Sequence, residues 1–245
     1  MTAAPLHLAG ERLLLDPAGA LIWPEARLLA VADLHLEKGS SFARRGHLLP
    51  PWDTRATLDR LSLLLRRYHP RTIVALGDSF HDAAGAGRML PGEAALLGAM
   101  TEAARFIWVT GNHDPAPPAG IAGEPTDEYR QGSLLFRHIG RGSPAEGTGE
   151  ICGHHHPKAS VPARGCAVTR PCFVADGRRI MLPAFGAYTG GLDVGSHAIA
   201  ALFPRGGRVF LLGRDRLFSF GLGQKKARGS APQPRWGPSA PDPMT

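Results

Sequence analysis

Polar side chains of metal-ligand type follow three apolar, strand-like runs of the sequence, "RLLAVADLH", "TIVALGD" and "FIWVTGNHD". The groups at the ends of these runs are Asp33 with His35, Asp78, and Asn112 with His113 and Asp114. Their carboxylate, amide and imidazole groups suit Mn²⁺, Fe or Zn²⁺. Because ligand sites in open α/β sheets gather at the carboxyl ends of strands, these distant residues are expected to converge on a metal site.

A fourth group lies in "ICGHHHPKAS", where three consecutive histidines follow a glycine. On an extended strand, residues two positions apart point to the same side. We therefore expect His154 and His156 to face the metal site together, and His155 to point away from it. The same rule predicts that Asp33 and His35 share one face of their strand.

The elements that must position these groups begin with "ERLLLDPAGALIWP", which is typical of a hairpin. Each of the three apolar runs is expected to form a buried strand. Helices are predicted between these strands, at "WDTRATLDRLSLLLRRYHP" and "PGEAALLGAMTEAAR". Asp53 is expected to cap the first helix and Pro70 to end it. This alternation favours right-handed crossovers and a parallel sheet.

Beyond residue 128 the sequence is β-rich, with Gly-containing turns and few helix signals, as in "AIAALFPRGGRVFLLGRDRLFSF". The two halves need not be separate domains, because two sheets can pack face to face with helices outside. The predicted fold class is α/β, a layered α/β/β/α sandwich of two mixed sheets flanked by helices, over residues 1–223. Residues 224–245 are basic and rich in Pro and Gly, with few large apolar groups, and are predicted to be a disordered tail.

The overall composition, 245 residues of which 43% are hydrophobic, fits a soluble globular protein. No run approaches the roughly 20 apolar residues needed to cross a bilayer, so no membrane association is expected. The N-terminus lacks the pattern of a signal peptide. The three cysteines are an odd number and do not indicate a disulfide framework. A cytoplasmic location is therefore expected.

Positive charge is concentrated between residues 44 and 71, where seven arginines are opposed by two aspartates. The formal net charge of the whole chain is +7. Such a region can face a polyanion, or it can form the solvated face of a helix. The composition does not choose between these alternatives.

Taken in order, the motifs D-x-H, G-D, G-N-H-D and G-H-x-H resemble those of the calcineurin-like metallophosphoesterase superfamily, over about residues 6–220. The superfamily pattern also has an isolated histidine before the last motif. His138, in "LLFRHIG", is the residue that matches it here. The resemblance implies the layered metallophosphoesterase fold.

The same resemblance implies two divalent metal ions that share one carboxylate. The first ion would be bound by Asp33, His35, Asp78 and His156. The second would be bound by Asp78, Asn112, His138 and His154. His113 is implied to stabilise the transition state or to protonate the leaving oxygen, and Asp114 to orient its imidazole. Two ions at such a site can clamp a phosphoryl group for in-line displacement.

Three longer strings, "VADLHLEKGSSFARRGHLLPPWDT", "ALGDSFHD" and "LPAFGAYTGGLDV", are similar to the bacterial ligase-associated DNA damage response phosphoesterases. This resemblance implies a Mn²⁺-dependent phosphodiesterase and DNA endonuclease, functionally associated with a DNA ligase and a helicase. The candidate substrate-binding residues are Lys38, Arg44, Arg45 and Tyr188. For Tyr188, packing within its loop is the alternative to stacking on a base or sugar.

Two other functions stay open at this point. One is a phosphoesterase that acts on small nucleotides or on monoesters, and the other is a non-catalytic scaffold on the same fold. A scaffold is expected to have lost metal ligands, whereas the set in this sequence is complete, which favours an enzyme. The ligand types do not distinguish Mn²⁺ from Fe or Zn²⁺.

Overall fold

The computed structural model describes residues 2–115, 120–163 and 166–223, without the side chain of Ala163. The tail predicted over residues 224–245 lies outside the described residues. Among the helices of the described part, none combines the length and the apolar character needed to span a membrane.

The first sheet has seven strands whose spatial order follows the sequence: β1 (Ala4–Leu8), β2 (Glu11–Leu15), β3 (Leu21–Trp23), β4 (Leu28–Ala32), β5 (Thr72–Leu76), β6 (Arg105–Val109) and β7 (Glu124–Thr126). Strands β1 to β4 pair antiparallel, and the hairpin of β2 and β3 lies where the sequence predicts it. Strands β4 to β7 pair in parallel. The predicted parallel arrangement of β4, β5 and β6 is confirmed, so their carboxyl ends share one edge of the sheet.

The second sheet is also mixed. Its main path runs β15 (Leu217–Leu222), β14 (Gly207–Leu212), β12 (Cys166–Ala175), β13 (Arg179–Met181), β10 (Gly149–Cys152), β9 (Leu134–Arg137) and β8 (Glu128–Gln131). A further strand, β11 (Lys158–Ala163), pairs with β12. Strand β10 is parallel to both of its neighbours, β9 and β13. The loop of residues 153–156, which holds the three histidines, therefore follows the carboxyl end of a strand that lies between two parallel neighbours.

Within the described residues, four α-helices accompany the sheets: α1 (Lys38–Ala43), α2 (Asp53–Tyr68), α3 (Pro91–Ala103) and α4 (His197–Leu202). Helices α2 and α3 lie where the apolar spacing predicts them. Helix α1 was not predicted, and α4 falls in "AIAALF", which was assigned to a β-rich segment. That assignment is wrong for α4, because a short apolar run has no periodicity that separates a strand from a buried helix turn.

The hydrophobic core is divided by the sheets into three layers. Leu58 of α2 and Leu97 of α3 pack on the outer face of the first sheet. The cluster between the two sheets includes Val74 of the first and Phe173 of the second. Ile199 of α4 packs on the outer face of the second sheet. The predicted α/β/β/α sandwich of two mixed sheets is confirmed.

The boundaries of α2 agree only in part with the sequence. The helix ends at Tyr68, where His69 adopts a left-handed conformation and donates its N–H to the Leu65 carbonyl as a C-terminal cap, and Pro70 follows. The expected capping role of Asp53 is wrong, because the helix begins at Asp53 itself. Its buried carboxylate instead accepts the backbone N–H of Gly39 at 2.9 Å. A buried amide of α1 needs an acceptor, and this contact provides one.

Several arginines of α2 contact the protein itself. Arg55 pairs with Asp59 at 2.9 Å on the exposed face of the helix. The guanidinium of Arg60 lies 4.2 Å from the centre of the Phe185 ring. Arg55 therefore belongs to a solvated helix face, whereas Arg60 packs against the segment that follows β13. Binding of a polyanion by this region stays a prediction.

Candidate metal centre

The candidate ligands lie in the loops that follow β4, β5, β6 and β10, or directly after β9. Five of them have positive φ angles between 43° and 71°: Asp33, His35, Asp78, His154 and His156. Strand alternation was expected to place Asp33 with His35, and His154 with His156, on one face. That explanation is wrong, because these residues lie beyond the ends of the strands. Left-handed turns bring their side chains together instead. Such conformations cost roughly 1–3 kcal/mol for residues other than glycine, and they cluster at functional sites.

The first ligand group consists of Asp33, His35 and His156, whose ligand atoms all lie within 4.8 Å of one another. His156 Nε2 is 3.3 Å from His35 Nε2 and 3.4 Å from Asp33 Oδ1. Burial and the neighbouring His156 lower the pKa of His35 to about 3. His35 is therefore neutral at neutral pH, as a metal-binding imidazole must be.

The second ligand group consists of Asp78, His138 and His154, again with all ligand atoms within 4.8 Å of one another. His138 Nε2 lies 3.1 Å from His154 Nδ1 and 3.4 Å from Asp78 Oδ2. The side-chain oxygen of Asn112 joins this group, 3.0 Å from His138 Nε2. The isolated histidine of the motif pattern thus lies among the other candidate ligands.

Asp78 stands between the two groups. Its Oδ2 atom is 3.4 Å from His138 Nε2 in the second group and 3.9 Å from His35 Nε2 in the first. Its other oxygen, Oδ1, accepts the backbone N–H of His113 at 2.9 Å. One carboxylate oxygen therefore faces ligands of both groups, which is the placement that a bridging ligand needs.

The surroundings of His138 show that the second group fits a cation. Its Nδ1–H donates to the carbonyl oxygen of Leu76 at 2.9 Å, so neutral His138 has no proton on Nε2. This unprotonated Nε2 atom faces lone pairs of Asn112, His154 and Asp78. Such a cluster of hydrogen-bond acceptors is stable only around a positive charge. The donors are oxygen and imidazole nitrogen without a thiolate, which suits Mn²⁺, Fe or Zn²⁺.

In the metal-free chain a proton can supply that charge. Burial opposes protonation of His138, but its hydrogen bond to Asp78 and the negative charges of Asp33 and Asp78 raise its pKa to about 8. Hydrogen bonds and charge from the same histidine hold the pKa of Asp78 below its usual range, against the effect of burial. A metal ion at this position would displace the proton.

A third cluster extends from the first ligand group. Side chains of His35, His81 and His113 lie close enough to offer ligand atoms within 4.8 Å of one another. The rings of His81 and His113 are stacked, with centroids 5.2 Å apart. The sequence interpretation missed His81, although the string "GDSFHD" places a histidine three residues after Asp78.

The contacts of His113 and Asp114 differ from those implied by the resemblance. The imidazole of His113 donates from Nδ1 to the carbonyl oxygen of His81 at 3.0 Å. The carboxylate of Asp114 accepts the backbone N–H groups of Ser79 and Phe80, at 2.7 and 3.1 Å. The expected orientation of His113 by Asp114 is therefore wrong in this structure. The His81 carbonyl holds the imidazole, and Asp114 holds the loop that follows Asp78.

A segment we call the strap, residues 186–192, lies beside the first ligand group. Gly186 donates its N–H to the carbonyl oxygen of Asp33 at 3.0 Å, and Leu192 donates to that of His155 at 3.2 Å. Tyr188, a candidate substrate-binding residue, has a φ of 59° and is 43% exposed. The strap is therefore bonded to the loops of the first ligand group at both ends, and it carries an exposed aromatic ring.

The three basic candidate residues lie in or directly after α1, the helix that follows the loop of Asp33 and His35. Lys38, at the start of α1, donates to the carbonyl oxygen of Tyr188 at 2.9 Å. Arg44 and Arg45 are exposed at the end of α1. The pKa of His81 is lowered to about 4, mainly by burial, with contributions from the charges of Lys38, His113 and Arg45. Lys38 and Arg45 thus lie close enough to act electrostatically on a residue of the histidine cluster.

The chain matches the family model of the calcineurin-like phosphoesterases over residues 26–172. Among solved structures, it is similar to the nuclease MPE of Pseudomonas putida, with 28% identity and a TM-score of 0.69 over 89% of this chain and 100% of that chain. It is also similar to Yfce, a phosphoesterase from E. coli, with 11% identity and a TM-score of 0.41 over 80% of this chain and 99% of that chain. No curated protein sequence matches it. Because the matched region covers more than half of the chain and holds both ligand groups, the protein belongs to the calcineurin-like phosphoesterase family.

Proposed function

We propose that this protein is a dinuclear, Mn²⁺-dependent phosphodiesterase that cuts DNA internally, as an endonuclease of DNA repair in the cytoplasm. The observation that carries the proposal is the pair of ligand groups that face one oxygen of Asp78. Asp33, His35 and His156 would hold one ion, and Asn112, His138 and His154 the other. Fe or Zn²⁺ would satisfy the same ligands.

Two bound divalent ions would polarise the phosphoryl group and lower the pKa of water for in-line attack. The chain supplies the remaining groups. Because His113 donates Nδ1–H to the His81 carbonyl, Nε2 carries a proton only in the imidazolium form, and it is from Nε2 of that form that His113 would give a proton to the leaving oxygen. General acid assistance of this kind is typically worth about 10²–10⁴ in rate. Asp114 keeps the backbone after Asp78 in place through two amide contacts.

DNA is the proposed substrate because the similar Pseudomonas putida protein is described as a nuclease. The rim of this site also offers cations for a phosphate backbone, in Lys38, Arg44 and Arg45, and an exposed ring for stacking, in Tyr188. We further propose that the protein acts together with a DNA ligase and a helicase, as the strings shared with the ligase-associated phosphoesterases imply.

The test compares Mn²⁺-dependent hydrolysis of bis-p-nitrophenyl phosphate, p-nitrophenyl phosphate, and circular and linear DNA in single- and double-stranded form. We expect the diester to be preferred over the monoester, and closed circles to be cut. Asp78→Ala and His113→Ala should abolish or strongly reduce diester hydrolysis. Asp59→Ala, which removes an exposed carboxylate of α2, is the control. Preference for the monoester, or full activity of Asp78→Ala, would refute the proposal.

A further inference from the structure

Two lysines from different segments meet on the strap. Lys38 Nζ donates to the carbonyl oxygen of Tyr188 at 2.9 Å, and Lys158 Nζ donates to that of Thr189 at 3.1 Å. These carbonyls belong to consecutive residues, so both ammonium groups bind the same short stretch of the strap, and the charge of Lys158 acts on Lys38. Lys38 comes three residues after His35 and Lys158 two residues after His156. Both lysines are thus adjacent in sequence to ligands of the first group.

The electrostatic surroundings of these lysines favour an anion. Among the described residues, neither ammonium has a carboxylate within ion-pair distance, and their hydrogen bonds go to neutral carbonyl oxygens. Burial lowers the pKa of Lys38, and the charge of Lys158 lowers it further, against the effect of Asp53. Two cations are therefore held together without a neutralising partner, an arrangement that an anionic group would stabilise.

The strap holds this lysine pair at a fixed position relative to the metal centre. Its N–H groups bond to the Asp33 carbonyl, to Thr57 Oγ1 and to the His155 carbonyl. Gly191 packs so closely that an added methyl group would overlap the carbonyl oxygen of His156. Because both ends of the strap are bound to the loops of the first ligand group, the carbonyl groups that bind the two lysines are held beside that group.

We propose that Lys38 and Lys158 form a second phosphate subsite, beside the phosphodiester held at the metal centre. This inference rests on the proposed function and refines its substrate class. A subsite for a neighbouring phosphate selects a polynucleotide over an isolated diester, because only the polymer carries a second phosphate one nucleotide away. Tyr188, whose carbonyl oxygen accepts from Lys38, has an exposed ring on which the intervening base could stack.

The test uses two diesters that differ in the second phosphate: bis-p-nitrophenyl phosphate and a single-stranded oligothymidylate. We expect Lys158→Met to lower kcat/KM for the oligothymidylate about tenfold more than for the small diester. The salt dependence of the oligothymidylate KM should also fall, by about 0.7 in the log–log slope for each lost single-strand contact. Lys158→Arg keeps the charge, so it should retain most of the kcat/KM for the oligothymidylate and most of the salt dependence of the unaltered protein.

Arg208→Met is the control, because it removes an exposed positive charge on β14 that contacts Ser219. It should leave the ratio of the two kcat/KM values unchanged. Equal losses for both substrates in Lys158→Met, with an unchanged salt slope, would overturn the subsite and leave Lys158 as a tether of the strap. If the unaltered protein hydrolyses neither diester, the proposed function fails. Fluorescence anisotropy of labelled oligothymidylate then still tests the lysine pair through the same variants.

Discussion

Gly77 supports the metal centre by having no side chain. It has a φ of 71°, and a Cβ added there would meet the ring of His138, 2.5 Å from its Cγ atom and against Nδ1. That ring is buried and is held by the bond from Nδ1 to the Leu76 carbonyl. Gly77→Ala should therefore displace a candidate ligand that has no free space on that side.

The expected cost can be separated into parts with a matched control. Gly147 has a φ of 72° and open space around it, so Gly147→Ala isolates the left-handed strain, about 1 kcal/mol. Gly77→Ala adds overpacking of about 1–3 kcal/mol and the loss of a hydrogen bond worth about 1 kcal/mol. The free energy of unfolding should fall by about 3–5 kcal/mol for Gly77→Ala, against about 1 kcal/mol for the control.

The two effects are read by urea denaturation of the metal-free proteins and by calorimetric titration with Mn²⁺. Because His138 would be displaced or reoriented, Gly77→Ala should weaken Mn²⁺ binding about 10–100-fold. Gly147→Ala should bind Mn²⁺ like the unaltered protein. Equal Mn²⁺ affinity in the two alanine variants would refute the role given to His138, whatever their stabilities.

Three further predictions concern other parts of the chain. His155→Ala should leave Mn²⁺ affinity within about threefold of the unaltered protein, whereas His156→Ala should abolish one binding site. Calorimetric titration with Mn²⁺ distinguishes the two variants. A large loss of affinity in His155→Ala would contradict the prediction that His155 points away from the metals. Arg179→Met should lower the free energy of unfolding by about 3 kcal/mol, because the buried carboxylate of Glu150 loses the guanidinium at 2.6 Å and keeps only Arg137 Nε, at 3.8 Å. A loss below about 1 kcal/mol in urea denaturation would contradict this. Hydrogen bonds from Arg88 lower the pKa of Asp82 to about 2. The charged form of Asp82 therefore stabilises the fold above pH 4, and that contribution is lost as the pH falls towards 2. Asp82→Asn should therefore cost roughly 1 kcal/mol at pH 7 and progressively less below pH 4, and a cost that grows on acidification would be inconsistent with the ion pair.

The sequence predicted the layers of the fold because apolar periodicity reports which faces are buried. Apart from Thr72 and Arg105 at their first positions, β4, β5 and β6 consist of apolar residues, as strands covered on both faces must. Helix α2 has leucines at helical spacing against the first sheet. The short helices α1 and α4, of six residues each, contain too few turns for a period to emerge.

The candidate ligands could be named from the order of their motifs, but the way they are positioned could not. Alternation along a strand predicts which side chains share a face only while the strand continues, and Asp33 lies just past the end of β4. The contacts of His113, Asp114 and Lys158 depend on segments far away in sequence. His81 was overlooked because one histidine without a partner motif gives little signal, and its ring stacking exists only in the folded chain.

The most direct measurement of the central claim is a crystal structure of the Mn²⁺-bound protein with anomalous data collected at the manganese edge. The structure predicts two anomalous peaks with Asp78 coordinating both. One should be bound by Asp33, His35 and His156, and the other by Asn112, His138 and His154. A single peak, or a peak bound by His35, His81 and His113 in place of the first group, would contradict the shared two-metal centre.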